Sequence, residues 1–296
     1  MAESMVRLKT MTRARIISSL DEMQQVAEEV RLSGRRIGVV PTMGFLHAGH
    51  QSLIRVARDR TDLAITTVFV NPAQFAPGED YEKYPRDFER DRILAEEAGT
   101  DVVFHPEAQQ MYPHDYQTFV EVATMTKVLE GKSRPTHFRG VTTVVTKLLH
   151  LTKPHVAVFG QKDAQQAVAV KQMVRDLNLD VEIIVAPIVR ERDGLALSSR
   201  NIYLLPHERN DAPVLYESLQ LAERMIEAGE RNSKNLISAM SSLIEWKKST
   251  AIDYISIADA ERLEELDTLR PGNKVLVSLA VMVGKTRLID NSILTV

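Results

Sequence analysis

The 296-residue chain contains no cysteine. Disulfide bonds, zinc–thiolate centres and thiol catalysis are therefore excluded, and the absence is compatible with a reducing cytoplasm, where we expect the protein to be located. No apolar run approaches the ~20 residues that a bilayer-spanning helix needs, so no membrane partner is expected. The formal net charge of −3 gives no general attraction to nucleic acid. An apolar share of 44% and a charged share of 26% are ordinary for a globular protein.

Several familiar signatures are also missing. The chain has no Walker loop, no G-x-G-x-x-G fingerprint, no HExxH zinc site and no nucleophile elbow. The polar and basic start, Met1 to Arg15, lacks the apolar centre of a secretory signal, and we interpret it as a frayed start or a remnant of added sequence. Asp87 and Asp91 lie four residues apart on a predicted helix. We interpret them as a solvated face, and we predict no metal-ligating side chains.

Through the first two thirds of the chain, apolar runs typical of buried strands alternate with segments of helical periodicity. The predicted strands are Ile37–Val40, Leu63–Val70, Asp101–Phe104, His155–Phe159 and Val181–Val185. The predicted helices are Ser19–Leu32, which starts with capping-box spacing, Gln51–Ala57, Arg86–Ala98, Val141–Leu151 and Ala164–Leu177. This alternation predicts an α/β fold with a doubly wound parallel sheet.

After Pro187 the sequence becomes polar and rich in turn residues. Two amphipathic helices are predicted near residues 206–228 and 233–247, followed by strands at 252–257 and 274–283. These elements indicate a smaller α+β domain. We therefore expect one domain at residues 1–186 and a second at residues 187–296, with a hinge near Ala186-Pro187.

The stretch from Val40 to His50 joins a predicted strand to the next helix. Its two histidines, His47 and His50, are three residues apart and would share one face of the helix. The open N–H groups and partial positive charge of a helix start favour an anion, above all a phosphate. A lone histidine is more often structural, but a pair in a glycine-bearing turn favours function.

Two basic segments are expected to reach the same sheet edge, because ligands of doubly wound sheets bind beyond the carboxyl ends of the strands. Lys162, in Gly160-Gln161-Lys162-Asp163, offers a mobile cation after a predicted strand. Arg200, in Leu197-Ser198-Ser199-Arg200, offers a planar fork beside two hydroxyls, which suits a phosphate. Taken alone, the first could be a solvated helix start and the second an ordinary polar turn.

Polar groups of two other kinds are candidates for the same site. Gln74 and Gln166 carry amides that both donate and accept, which suits a small substrate with hydroxyls and a carboxylate. A buried glutamine nevertheless satisfies backbone groups more often than it holds a ligand. Arg134 and His137 are expected to add positive charge in a mobile loop.

The motifs together resemble the pantothenate synthetase (pantoate–β-alanine ligase) family. The residues that carry the resemblance are Pro41-Thr42-Met43-Gly44, His47-x-Gly49-His50, Phe69-Val70-Asn71-Pro72-x-Gln74-Phe75, Tyr84-Pro85-Arg86, Arg134-Pro135-Thr136-His137-Phe138-x-Gly140-Val141, Phe159-Gly160-x-Lys162-Asp163-x-Gln165-Gln166 and Asp193 to Asn201. They run in family order from about Val39 to Tyr203. The H-x-G-H turn alone would be weaker evidence, since related nucleotidyltransferases and class I aminoacyl-tRNA synthetases share it.

The resemblance implies a Rossmann-like sheet of the HIGH-type nucleotidyltransferase superfamily and a two-step synthesis. The carboxylate of (R)-pantoate attacks the α-phosphorus of ATP, and the amine of β-alanine then attacks the pantoyl adenylate and releases AMP. It also implies Mg²⁺ with ATP, held mainly by phosphates and water, and a homodimer. The second domain would close over the site and keep water from the adenylate.

Site residues are carried over position by position. His50 matches the catalytic residue of the family, with His47 and Lys162 as its partners on the phosphates. The positions that match ATP-binding ones are Met43, Gly44, Phe45, Leu46, His47, Ala48, Gly49, His50, Gly160, Gln161, Lys162, Asp163, Val189, Leu197, Ser198, Ser199 and Arg200. Gln74 and Gln166 match pantoate-binding positions, and Gln74 also borders the β-alanine site. Gln161 stands where many relatives carry Glu.

Two alternatives stay open at the level of sequence. The first is another nucleotidyl transfer, by a cytidylyltransferase or a tRNA synthetase, although no basic nucleic-acid surface is evident. The second is a nucleotide-sensing protein that retained the pocket and lost turnover, against which the intact histidine pair, Lys162 and Arg200 argue.

Overall fold

The computed structural model describes residues 13–296. Its strands are β1 Arg15–Ile17, β2 Ile37–Thr42, β3 Leu63–Val68, β4 Val102–Phe104, β5 Val156–Gly160, β6 Glu182–Ala186, β7 Thr250–Asp259, β8 Lys274–Val283 and β9 Thr286–Thr295. Its helices are α1 Leu20–Leu32, α2 Ala48–Arg60, α3 Phe88–Ala98, α4 Ala108–Met111, α5 Glu130–Ser133, α6 His137–Thr152, α7 Ala164–Asp176, α8 Pro206–Asp211, α9 Val214–Glu227 and α10 Ser233–Glu245.

The first six strands form one parallel sheet in the order β1-β4-β3-β2-β5-β6. The chain moves outward from β2 through β3 and β4, and then resumes on the other side of β2 with β5. The order therefore reverses between β2 and β5, and ligands of such sheets bind at that point. The predicted doubly wound, Rossmann-like α/β sheet is confirmed.

Both faces of the parallel sheet are covered, which explains why its strands are nearly continuous apolar runs. Along β2, Ile37 and Val39 join the core beneath α1 and α6, while Val40 joins the core beneath α2 and α3. The same alternation recurs in β5, where Phe159 and Val158 belong to opposite faces. Strands β2 and β5 are paired neighbours between these two cores, so their carboxyl ends lie side by side.

The second unit is the antiparallel sheet β7-β8-β9, and its core with α9 and α10 is separate from the first two. The smaller α+β unit predicted after Pro187 is therefore confirmed as an architecture. No helix within residues 13–296 is long and apolar enough to cross a membrane.

Three local predictions were incomplete or wrong. The predicted helix at 206–228 is interrupted, because Pro213 has no N–H to continue α8 and instead starts α9. Strand β9 was not predicted. Arg15, assigned to a frayed start, begins β1, whereas residues 1–12 of that segment lie outside the described part of the chain. By contrast, Ser19 caps α1 as predicted, accepting a hydrogen bond from the backbone N–H of Glu22.

Candidate active site

A cavity of about 790 Å³ lies between the two sheets, beyond the carboxyl ends of β2 and β5. It is lined by most of the residues predicted from sequence: Met43, His47, Gly49, His50, Gln74, Gly160, Lys162, Asp163, Gln166, Val189, Leu197, Ser198, Ser199 and Arg200. The structure thus brings the three predicted phosphate-facing segments to one place. The remaining predicted positions, Gly44, Phe45, Leu46, Ala48 and Gln161, are not part of the lining, and Leu46 is fully buried in the core.

The two histidines cap the N-terminus of α2. Nδ1 of His47 accepts a hydrogen bond from the N–H of Gly49 at 3.1 Å, and Nδ1 of His50 accepts one from the N–H of His47 at 3.3 Å. A nitrogen that accepts carries no proton, so each neutral ring holds its proton on Nε2. The pair therefore offers two Nε2–H donors to a ligand in the cavity.

Gly49 is required by the close approach of the His47 ring. A Cβ at this position would lie 2.8 Å from Cε1 of His47 and 2.9 Å from its Nδ1. Any larger residue would displace the imidazole from its capping position. This contact gives a structural reason for the spacing of the H-x-G-H turn.

A buried carboxylate holds the loop that precedes the histidines. Asp91, only 1% exposed, accepts hydrogen bonds from the N–H groups of Phe45 at 2.7 Å and Leu46 at 2.6 Å. The interpretation of Asp91 as part of a solvated face was therefore wrong, while Asp87 caps α3. The two hydrogen bonds to Asp91 stabilise a turn in which Gly44 and Phe45 have φ values of +82° and +50°.

Burial and nearby positive charge keep both histidines neutral. Burial, assisted by the charge of Lys162, lowers the pKa of His47 to about 4. Burial is also the main reason that the pKa of His50 lies well below its ordinary value, with His47 and Lys162 adding to the effect. Asp163 opposes the shift at His47 and Arg90 adds to it.

We expect the free energy of unfolding to decrease as the pH falls from 6.5 toward about 4. The unfolded chain protonates His47 and His137 near 6.5, while the folded protein keeps both neutral until about 4, so their contribution to stability is retained above 6.5 and lost as the pH falls below it. Urea unfolding at a series of pH values measures this dependence. His47→Asn is the control, because asparagine retains the N-cap without titrating. If the free energy of unfolding depended on pH with the same slope in the variant and in the parent protein, the assignment to His47 would be contradicted.

Lys162 makes no side-chain hydrogen bond or ion pair with residues 13–296, so its ammonium is available to a ligand. It follows β5 in a short 3₁₀ helix of one turn, Gln161–Asp163. Asn291 of β9 donates to the carbonyls of Gln161 and Lys162 at 2.9 and 3.0 Å. The turn is thus held by a residue of the second unit.

The segment Leu197–Arg200 is ordered by contacts that sequence reasoning did not predict. The hydroxyl of Ser198 accepts the N–H of Arg200, which starts a short 3₁₀ helix, and Ser199 lies 3.4 Å from the hydroxyl of Tyr84. The guanidinium of Arg200 pairs with Asp80 at 3.1 Å. Asp80 therefore occupies the fork that was predicted to bind phosphate.

Gln74 is buried, and its amide belongs to a network with Asn71. The Asn71 amide donates to Oε1 of Gln74 and to the carbonyl of Gly140, while its Oδ1 accepts from the hydroxyl of Tyr112 at 2.8 Å. Asn71 is 1% exposed and lines the cavity, yet it was not among the predicted site residues. Its place directly after a buried strand, at the ligand-binding edge, was the available signal.

The prediction of added positive charge in a loop at Arg134 and His137 was wrong in two respects. His137 is the first residue of α6, and burial together with Arg134 lowers its pKa to about 4. The guanidinium of Arg134 is paired with Glu79, with a distance of 2.8 Å from Nε to Oε1. Neither residue contributes an unbalanced charge.

The sheet reversal, the H-x-G-H turn at the reversal and the cavity between the units together define a Rossmann-like α/β enzyme. The model of the family described as pantoate-beta-alanine ligase matches residues 15–293. Pantothenate synthetase of Thermotoga neapolitana is 54% identical over 280 residues, 95% of this chain and 99% of that protein. That of Caldicellulosiruptor bescii is 51% identical over 276 residues, 93% and 97% of the two chains. The chain belongs to the pantoate–β-alanine ligase family.

Solved structures agree with this assignment. Pantothenate synthetase from Thermus thermophilus superposes with a TM-score of 0.87 at 42% identity, covering 94% of this chain and 98% of that one. Pantoate–β-alanine ligase from Francisella tularensis, complexed with beta-gamma ATP and β-alanine, gives a TM-score of 0.76 at 34% identity, with 95% and 97% coverage.

Proposed function

We propose that this chain condenses (R)-pantoate with β-alanine at the expense of ATP, giving pantothenate, AMP and pyrophosphate through pantoyl adenylate. One observation carries the proposal: two neutral imidazoles, an available lysine and the Leu197–Arg200 segment line one cavity at the sheet reversal. Full-length similarity to pantothenate synthetases supports the choice of substrates. The ATP and β-alanine named for the Francisella enzyme support it further.

Adenylate formation needs donors placed where negative charge develops. A pantoate carboxylate oxygen forms a bond to the α-phosphorus, and the bond to the pyrophosphate oxygen breaks. The Nε2–H groups of His47 and His50 and the ammonium of Lys162 stabilise the phosphoryl oxygens. In the second step the β-alanine nitrogen forms a bond to the acyl carbon, the bond from that carbon to the adenylate oxygen breaks so that AMP leaves, and the proton of the nitrogen passes to water. Neither step needs a nucleophile from the protein.

The cavity lining combines amides with apolar side chains. Gln74 and Gln166 both line the cavity. We assign the hydroxyls and carboxylate of pantoate to them, with Gln74 also bordering β-alanine. Phe69, Val144 and Phe159 line the same cavity and suit the branched hydrocarbon of pantoate. Placement of both amides and apolar groups favours pantoate over a nucleotide base as the second occupant.

Mg²⁺ is proposed to accompany ATP. Within residues 13–296 no three histidine or carboxylate side chains cluster as a cage, so the ion would be held by phosphate oxygens and water, with Asp163 of the cavity wall as the candidate carboxylate. Bound there, the ion would neutralise charge on the triphosphate.

Domain organisation and assembly complete the proposal. We assign ATP and pantoate binding to residues 1–186 and closure over the site to residues 187–296, in agreement with their separate cores. ATP should then slow hydrogen exchange at residues 187–200; exchange indifferent to ATP would contradict closure.

A cytoplasmic homodimer is proposed from the family resemblance, and sedimentation analysis tests the dimer.

The reaction is tested by its substrate dependence. Pyrophosphate should be released from ATP only when pantoate is present, and AMP only when β-alanine is added as well. Pyrophosphate release that is indifferent to pantoate would contradict the proposal and favour another nucleotidyl transfer. Nucleotide binding without any turnover would instead favour a sensor.

Asp80→Asn is expected to tighten ATP binding about 1.4- to fivefold, because the triphosphate then no longer competes with a carboxylate for Arg200. The factor follows from the ~0.2–1 kcal/mol of a partly exposed ion pair. Titration calorimetry measures it. Glu82→Gln is the matched control, since it removes one negative charge from the same loop without touching Arg200. Equal affinity in the two variants would show that Asp80 does not compete.

A further inference from the structure

Two consecutive residues of β9 hold the two basic loops of the cavity. Asp290 and Asn291 are 2% and 3% exposed. The carboxylate of Asp290 accepts hydrogen bonds from both terminal nitrogens of Arg190, at 2.6 and 3.0 Å. Arg190 in turn pairs with Ala196 in a β-bridge, directly before the Leu197–Arg200 segment. One loop is therefore fixed through Asp290.

Asn291 fixes the other loop with every polar atom of its side chain. Its Nδ2 donates to the carbonyls of Gln161 and Lys162, and its Oδ1 accepts from Nε2 of Gln161 at 3.3 Å. The turn Gln161–Asp163 is only three residues long, and 3₁₀ geometry gives it weak hydrogen bonds of its own. Its position therefore depends on Asn291 more than on its own structure.

We propose that Asn291 is a positioning residue for adenylate formation: its amide places Lys162 against the histidine pair, while Asp290 places the Leu197–Arg200 segment from the next position on the same strand. The inference rests on the proposed function, in which Lys162 stabilises charge on the phosphoryl group. A displacement of about 1 Å in such a group can cost roughly 10²-fold in rate. A single amide that binds two successive carbonyls has little freedom to shift.

Asn291→Ala removes all three hydrogen bonds, and Asn291→Asp retains the shape but replaces the two donor hydrogens with a carboxylate. We expect either change to slow single-turnover pyrophosphate release by about 10- to 100-fold at saturating ATP. The rate at which β-alanine consumes preformed adenylate should stay within about twofold, since Lys162 acts in the first step. Equal slowing of both steps would contradict a role through Lys162.

A double-mutant cycle separates positioning from general structural support. If Asn291 acts through Lys162, Asn291→Ala should change the rate by less than about twofold in a Lys162→Ala background, measured with enzyme in excess of ATP. If Asn291→Ala slowed the reaction as much in the Lys162→Ala background as in the parent protein, the proposal would be overturned. If Asn291→Ala fails to fold, Asn291→Ser, which retains one hydroxyl donor, takes its place with the same expectation.

Hydrogen exchange provides a readout that does not depend on turnover. Asn291→Ala should speed amide exchange in residues 161–164, whereas Val277→Ala should not. Val277 is buried in the second core, is not in the cavity lining, and its loss lowers stability without touching the turn. Unchanged amide exchange at residues 161–164 would overturn the inference about Asn291, even if the enzyme proves active. If the parent protein released no pyrophosphate in a pantoate-dependent manner, the proposed function would be overturned instead.

Discussion

Lys162→Ala is expected to slow adenylate formation by roughly 10²- to 10³-fold, the cost typical of removing one preorganised donor from a developing oxyanion. The ammonium makes no ion pair within residues 13–296, so its removal leaves no buried partner without a counter-charge. The melting temperature should therefore change little. Single-turnover release of pyrophosphate from ATP and pantoate measures the effect.

The matched control for Lys162 is Lys171→Ala, an exposed lysine on α7 that is not in the cavity lining. It should release pyrophosphate at the parental rate. Lys162→Arg retains the charge but not the compact ammonium, and we expect partial activity. A parental rate in Lys162→Ala would remove this residue from the mechanism.

His50→Ala is expected to have an effect of similar size, with an added loss of stability. The variant removes an Nε2–H donor from the cavity and also the Nδ1 acceptor that satisfies the N–H of His47. The first loss should slow adenylate formation by about 10²-fold or more. The second should cost about 0.5–2 kcal/mol, the range observed for a lost N-cap interaction.

His50→Gln separates the two contributions, because glutamine at the third helical position can reach back to the N–H of the capping residue. We expect it to recover most of the stability and only part of the rate. Thermal unfolding and single-turnover assays of the same preparations make the comparison. If His50→Ala lost stability but retained its rate, the residue would be a cap and not a catalytic group.

The parallel sheet could be predicted from sequence because each of its inner strands carries its own signal. The run 156–159 is apolar throughout, and the run 63–68 is apolar or β-branched, with the buried Thr66 and Thr67 as its polar members, since both faces of the sheet are covered. The edge strand β1 has only three residues, two of them exposed, so it gives almost no pattern. Strand β9 did have a local signal, because a glycine, Gly284, follows β8 and forms a tight turn with φ +59°. The mixed polar and apolar sequence of β9 nevertheless obscured the alternation that indicates a strand.

The predicted site residues mostly follow strands; of the missed ones, Asn71 had that signal too, whereas Asp91 and Asn291 act from positions distant in the sequence. Lys162 and the histidine pair belong to the first group. Asp91 is 46 positions from the Phe45 N–H it accepts, and Asn291 is 129 positions from the Lys162 carbonyl. Acids at the start of a helix usually face solvent, so only the folded chain distinguishes Asp91 from Asp87.

The capping arrangement of His47 and His50 has a consequence for how the enzyme responds to its surroundings. Because each Nδ1 is engaged by the backbone and each ring is neutral, the two Nε2–H groups remain the same donors from mildly acidic to alkaline conditions. Histidine is the side chain most often used to sense acidification. In this turn its protonation state is constant instead, so a fall of one pH unit from neutrality leaves both donors in place.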